Sequence, residues 1–119
     1  MEFRTYSQGK VQVMALSGRF DKSSASTVRR WIEAVCENGP AFIVINLEQV
    51  NLMDSSALAT LALGLKRSRA YNGSLHLCCL QRPVRILFEL TRMDQVFEIY
   101  PCEEDAIHAF TPVELISQS

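Results

Sequence analysis

Nothing in this 119-residue chain approaches the ~18 consecutive apolar residues that a membrane-spanning helix needs. The opening residues, Met1-Glu2-Phe3-Arg4-Thr5-Tyr6, lack the apolar core of a secretory signal. A cytoplasmic protein with no membrane partner is therefore expected. An excess of one charge is missing too. A net charge of −1 and a pI near 6.1 give no bulk attraction to nucleic acid. The five glycines form neither a G-x-G-x-x-G nor a Walker A pattern, so no dinucleotide or P-loop site is supported. Cys36, Cys78, Cys79 and Cys102 show no C-x-x-C spacing, and His76 and His108 add no metal-ligand pattern. Reduced core thiols, no metal and no cofactor are the expectation. Asn72-Gly73-Ser74 fits a glycosylation sequon, but without secretion it reads as a turn after a helix.

What is present describes an ordinary folded domain. Hydrophobic residues make up 48% and charged residues 21%, enough for one good core. Phe3–Ser7 and Val11–Leu16, joined by Gln8-Gly9-Lys10, read as a β-hairpin or two short strands. Leu16–Asp21 reads as a loop. Ser23 or Ser24 is placed to cap a helix with the apolar stripe Ala25, Val28, Ile32 and Val35, which Gly39-Pro40 ends. The continuous apolar run Phe42–Leu47 has the character of a strand covered on both faces. A second helix follows from Asp54–Ser56 to about Tyr71, and the basic group Lys66-Arg67-Ser68-Arg69 near its end either complements the helix dipole on a solvated face or offers a partner-docking patch. Leu75–Leu80 reads as a strand in which His76 faces outward or bonds locally. A third helix starts at Pro83 and carries Val84, Leu87, Leu90 and Ile86 inward. Val96–Tyr100 is a short last strand, and Cys102–Phe110 a final helix with Glu103, Glu104 and Asp105 at its dipole-positive start. Strands alternating with helices predict an α/β domain over residues 1–110, with parallel strands and an antiparallel N-terminal hairpin. The tail, 111–119, shows no strong pattern.

The most informative segment is Val50-Asn51-Leu52-Met53-Asp54-Ser55-Ser56-Ala57-Leu58. It sets an acid and two hydroxyls between the buried strand and a helix whose Leu58, Leu61, Ala62 and Leu65 recur at helical spacing. Asp54 and Ser55 are good N-cap residues, which places Ser56 in or beside the first helical turn. Unpaired N–H groups and the positive dipole end favour an anion there. Capping alone would account for a small polar residue at that position. A serine there is also a physically reasonable phosphate acceptor. Asp21 is expected to stabilise its own turn by accepting from backbone N–H groups ahead of it.

The segment Asp54-Ser55-Ser56-Ala57-Leu58 resembles the Asp-Ser-(Ser/Thr)-Gly-Leu signature of STAS domains, the family that includes bacterial anti-sigma-factor antagonists. Leu16-Ser17-Gly18-Arg19-Phe20-Asp21 resembles the turn before that family's first helix, and Asn72-Gly73-Ser74-Leu75 its glycine turn. Arg82–Phe88, Val96–Tyr100 and Glu103-Glu104-Asp105-Ala106 resemble its C-terminal pattern. The resemblance runs over roughly residues 10 to 110, with Ala57 standing where the signature often has glycine. It implies a single-domain STAS fold, a mixed β-sheet with helices packed mainly on one face. It further implies a non-enzymatic partner switch. Unphosphorylated, the chain would bind an anti-sigma factor that is also a serine protein kinase; phosphorylation at Ser56 would release it, and a serine phosphatase would reset it. Asp21, Asp54, Ser55, Ser56 and Ala57 then make the partner-binding set, with Asp54 orienting the acceptor or defining the kinase-facing surface. A scaffold or transport-associated STAS subunit without a phosphocycle is the other role that the resemblance allows.

Two enzyme-like alternatives fit less well. A serine hydrolase needs a nucleophile on a G-x-S-x-G elbow, an oxyanion hole and a positioned histidine, and Met53-Asp54-Ser55-Ser56-Ala57 lacks the flanking glycines. A phospho-aspartate receiver needs an acidic Mg²⁺ cluster and a lysine that reads the phosphate. Here the loop after Leu80 is Gln81-Arg82-Pro83, without lysine.

Overall fold

The computed structural model describes residues 1–110; the tail at 111–119 lies outside the described residues. Two strands, β1 (Glu2–Gln8) and β2 (Val11–Phe20), open the chain and lead into helix α1 (Lys22–Glu37). Strand β3 (Phe42–Met53), helix α2 (Ser55–Ala70), strand β4 (Ser74–Cys78) and helix α3 (Arg82–Leu90) follow. A single 3₁₀ turn at Met93–Gln95, strand β5 (Glu98–Tyr100) and the short helix α4 (Glu103–His108) complete the described residues. The sheet order is β1-β2-β3-β4-β5, with β1 antiparallel to β2 and every other pair parallel. The first two strands turn through Gly9, whose φ of 61° suits glycine. Parallel neighbours cannot be joined so tightly, and each parallel step is bridged by a helix.

The alternation along β2 and β3 divides the core. Met14, Leu16, Ile43, Ile45 and Leu47 meet Val28 and Ile32 of α1, Leu61 and Leu65 of α2, and Val84 and Phe88 of α3. Val11, Val13, Phe42 and Val44 point the other way, onto Ala106, Ile107 and Phe110 around α4. The Phe42–Leu47 run is apolar but for Asn46, which donates to Glu103 at 2.9 Å, because both of its faces are covered. This is the mixed-sheet α/β arrangement expected, with three helices on one face and one short helix on the other.

Several elements differ from the sequence expectation. The stretch Leu16–Asp21 is no loop: β2 runs on to Phe20 beside a β3 that runs on to Met53. Register shifts between Ala15 and Ser17 and between Gly18 and Arg19, with Gly18 at φ 95°, break the period that would have revealed the strand. In α3 the buried residues are Val84 and Phe88, while Ile86 is 44% and Leu90 79% exposed. Phe88 wins the inward position by pairing with Val84 at i, i+4 and meeting Phe97 edge-on at 5.7 Å.

Strand β4 ends at Cys78 because Cys79 takes a left-handed φ of 64°. Cys36 and Cys78 are core thiols, but Cys79 is half-buried and Cys102 exposed; all four are unpaired. His76 does not face outward. It is buried, with Nδ1 2.9 Å from the Ala106 carbonyl and its ring stacked on Phe110 at 3.8 Å. After α2 it is Asn72, at φ 65°, that makes the left-handed turn. Gly73 serves a different need, since a Cβ there would lie 2.0 Å from the Ala41 carbonyl oxygen.

Candidate functional site

The site begins with a register. Phe20 and Met53 are paired residues at the ends of β2 and β3, so the next residue of each strand, Asp21 and Asp54, leave the sheet side by side. Each becomes the N-cap of the helix that follows. Asp21 Oδ1 accepts from the Ser23 N–H at 3.1 Å and the Ser23 hydroxyl at 2.7 Å, while Ser24 Oγ accepts from the Asp21 N–H at 3.0 Å. The cap of α1 is thus Asp21 in a capping box with Ser24, not Ser23 or Ser24 alone. Hydrogen bonds, the Ser23 hydroxyl first, hold the Asp21 carboxyl below its usual range.

Asp54 reaches further. One oxygen accepts from the Ala57 N–H at 2.9 Å and caps its own helix, α2. The other accepts from the Lys22 N–H at 3.0 Å, at the first residue of α1. A single carboxylate therefore serves the N-termini of two helices, which fixes the seam between them. It makes no hydrogen bond to Ser56; what it holds is the turn that carries that residue.

Ser55, Ser56 and Ala57 form the first turn of α2. Ser55 is exposed and Ser56 half-buried. The Ser56 hydroxyl has no hydrogen-bond partner among the described residues; its carbonyl accepts from the Thr60 hydroxyl at 2.9 Å. Ala57 is fully buried. Its methyl packs beneath the turn, so any contribution to a docking surface comes from its backbone. An open concavity at Asp21, Lys22, Ser23 and Asp54 adjoins a groove of about 200 Å³ between α1 and α2, lined by Lys22, Ala25, Ser26, Arg29, Ser56 and Thr60. Sequence reasoning singled out none of Lys22, Ser26, Arg29 and Thr60. Their helical spacing toward Ser56 was the available signal.

A larger groove of about 510 Å³ lies at the other end of α1, lined by residues that include Trp31, Val35 and Pro40. It is remote from Ser56. Among the described residues no group of His, Cys, Asp and Glu is arranged to hold a metal ion. None of the described helices is long and apolar enough to cross a membrane.

A mixed sheet with two helix N-termini locked together beside a half-buried serine defines a class of small α/β domain that carries a serine at a strand-to-helix junction. The STAS domain model matches residues 2–106, and the chain belongs to that family. It is 29% identical over 108 residues to an anti-sigma F factor antagonist of Paenibacillus polymyxa, covering 90% of each chain. A solved anti-sigma factor antagonist from Mycobacterium paratuberculosis is 27% identical and superimposes with a TM-score of 0.81, over 91% of this chain and 92% of the other. The anti-sigma factor antagonist SpoIIAA, solved unphosphorylated, shares the fold with a TM-score of 0.82 at 22% identity, over 94% and 98% of the two chains. The phosphorylated form of the Bacillus protein aligns at 0.72, also at 22% identity, over 91% and 98%.

Proposed function

We propose that this protein is an anti-sigma-factor-antagonist-like switch whose acceptor is Ser56. Unmodified, it binds an anti-sigma factor that is also a serine protein kinase. The Ser56 hydroxyl oxygen attacks the γ-phosphorus of ATP held by that kinase, ADP leaves, and the hydroxyl proton passes to a base on the kinase. A serine phosphatase hydrolyses the ester and restores the binding form. The chain is a substrate and not a catalyst, and acts in the cytoplasm.

The observation that carries this reading is the Ser56 hydroxyl itself. It is partly exposed, uncommitted to any described partner, and held at a helix start by a carboxylate that engages backbone on both sides. Backbone N–H groups at that start tolerate the −1.5 to −2 charges that a phosphoseryl group carries at pH 7. The modification then leaves the fold in place and changes the surface, opposing a desolvated or acidic contact. Asp54 and Ser55 precede the acceptor in the chain, and Asp21 shares the adjoining concavity with Asp54. The relatives agree with the reading, since antagonists are among them and one neighbour has been solved in both phosphorylation states.

The test is incubation with the kinase found in the same cell and ATP, followed by mass spectrometry. One phosphoryl group on Ser56, abolished by Ser56→Ala, is the expected result. A group placed elsewhere, or none with a kinase active on another substrate, refutes the assignment. Capture of membrane-transport components in place of a kinase would support the scaffold role.

A further inference from the structure

We propose that Lys22 and Arg29 form a built-in cradle for the phosphate on Ser56, so that the phosphorylated form holds its own charge in the α1–α2 groove. This rests on Ser56 being the acceptor and adds how the modified state is held. Positions 22, 25, 26 and 29 recur at helical spacing on one face of α1, and Ser56 and Thr60 do the same on α2. The two stripes line one groove of about 200 Å³.

The rest of the seam is closed. Gly64 lies so near Ile32 that a Cβ would come within 2.8 Å of Cδ1, and Glu33 pairs with Arg67 at 3.7 Å. At the open end, by contrast, Lys22 and Arg29 form no ion pair with any described residue. The acids close by, Asp21 and Asp54, direct oxygens to backbone N–H groups. A phosphate on Ser56 would add a dianion beside these two carboxylates, and the two lysine and arginine cations are placed to offset it. Arg29 offers a guanidinium that matches phosphate oxygens two at a time, and Lys22 a point charge. Ser26 and Thr60 line the same space with hydroxyls. Modification would thereby fill the groove as well as recharge it. A Ser56→Asp side chain, shorter and with a single charge, would be a poor mimic.

The test uses the full chain with phosphoserine installed at position 56 during translation, so it does not depend on any kinase. Phosphorus NMR titration reads the second ionisation of the phosphate. Nearby cations favour the dianion and lower its midpoint, while Asp21 and Asp54 oppose this alike in every variant, so the midpoint is compared among the folded proteins. In Lys22→Gln/Arg29→Gln it should rise by about half a pH unit or more. Arg29→Lys should retain part of the effect, and Arg30→Gln, an exposed arginine outside the stripe, should leave it unchanged. Equal midpoints in the parent and the Lys22→Gln/Arg29→Gln protein would overturn the cradle. If the cell's kinase never modifies Ser56 but these midpoints differ, the switch reading fails while the cradle stands as a property of the groove.

Discussion

Removing the Asp54 carboxylate should loosen two helices at once, although its side chain belongs to only one of them. In Asp54→Ala both the Ala57 and the Lys22 N–H lose their acceptor, and these lie 2.9 and 3.0 Å from its two oxygens. A lost N-cap costs about 0.5–2 kcal/mol, so two caps on one partly buried carboxylate should cost about 2 kcal/mol together. With an unfolding entropy of about 2.1 cal/mol/K per residue, that corresponds to a fall in Tm of roughly 8 °C. Asp54→Asn keeps one acceptor oxygen and should lose about half as much. The bridge itself can be isolated by a double-mutant cycle. Lys22 is the first residue of α1, where proline is tolerated but brings no N–H, and Asp21 before it is already extended, as a residue preceding proline prefers. Measured against Lys22→Ala, which keeps the donor, Lys22→Pro should show a coupling to Asp54→Asn of about 0.5–1.5 kcal/mol in urea titrations. Amide exchange supplies the local readout, with the Lys22 amide speeding up in Asp54→Ala. An Asp54→Ala protein within ~0.5 kcal/mol of the parent and an unchanged Lys22 amide would refute the two-helix role.

Gly73→Ala sets a methyl carbon 2.0 Å from the Ala41 carbonyl oxygen. Because the obstacle is backbone, urea unfolding should show a loss of about 3 kcal/mol or more. On α3, Phe88→Ala should cost about 3–5 kcal/mol and Leu90→Ala no more than ~0.5 kcal/mol, which thermal melts of the two proteins will separate. Tyr6, partly desolvated and donating a hydrogen bond to Glu103, has its phenol raised to about 12. The folded state therefore holds that proton more tightly than the unfolded chain. The associated stability is complete below pH ~10 and is lost as pH rises toward the folded value. Ultraviolet titration should show a component near pH 12 that disappears in Tyr6→Phe. Asp21 runs the other way: its lowered carboxyl stabilises the fold above the ordinary aspartate range of about 3.9 and ceases to do so as pH falls through the folded value. Acid denaturation of Asp21→Ala should accordingly begin from a lower plateau and lack that share of the downturn.

The legible parts of the sequence were those where local signals agree. Phe42–Leu47 shows its burial as a run that is apolar but for Asn46, and Asp54 ahead of Leu58, Leu61 and Leu65 announces the start of α2. The strand from Leu16 to Phe20 stayed hidden because a bulge at Gly18 disrupts the period of two on which strand reading depends. With it went the register that sets Asp21 beside Asp54. The bond from Asp54 to Lys22 N–H joins residues far apart in the chain, and no spacing rule reveals it. His76 reads as facing outward or bonding locally because the helix that covers it follows 30 positions later. In α3, Ile86, Leu87, Phe88 and Leu90 gave several apolar candidates within nine residues, and tertiary packing alone chose Phe88. At the site, the acids and serines were recognisable by type and order. Lys22 and Arg29 were not, since an exposed cation on a helix usually means only a solvated face.

In the proposed switch, phosphorylation of Ser56 decides whether a partner stays bound. Calorimetric titration of the purified anti-sigma factor with the two forms of this protein, unmodified and phosphorylated only at Ser56, tests it most directly. Binding by the unmodified form, weakened tenfold or more (about 1.4 kcal/mol) by the phosphate, is the predicted result. Equal affinity of the two forms would contradict it.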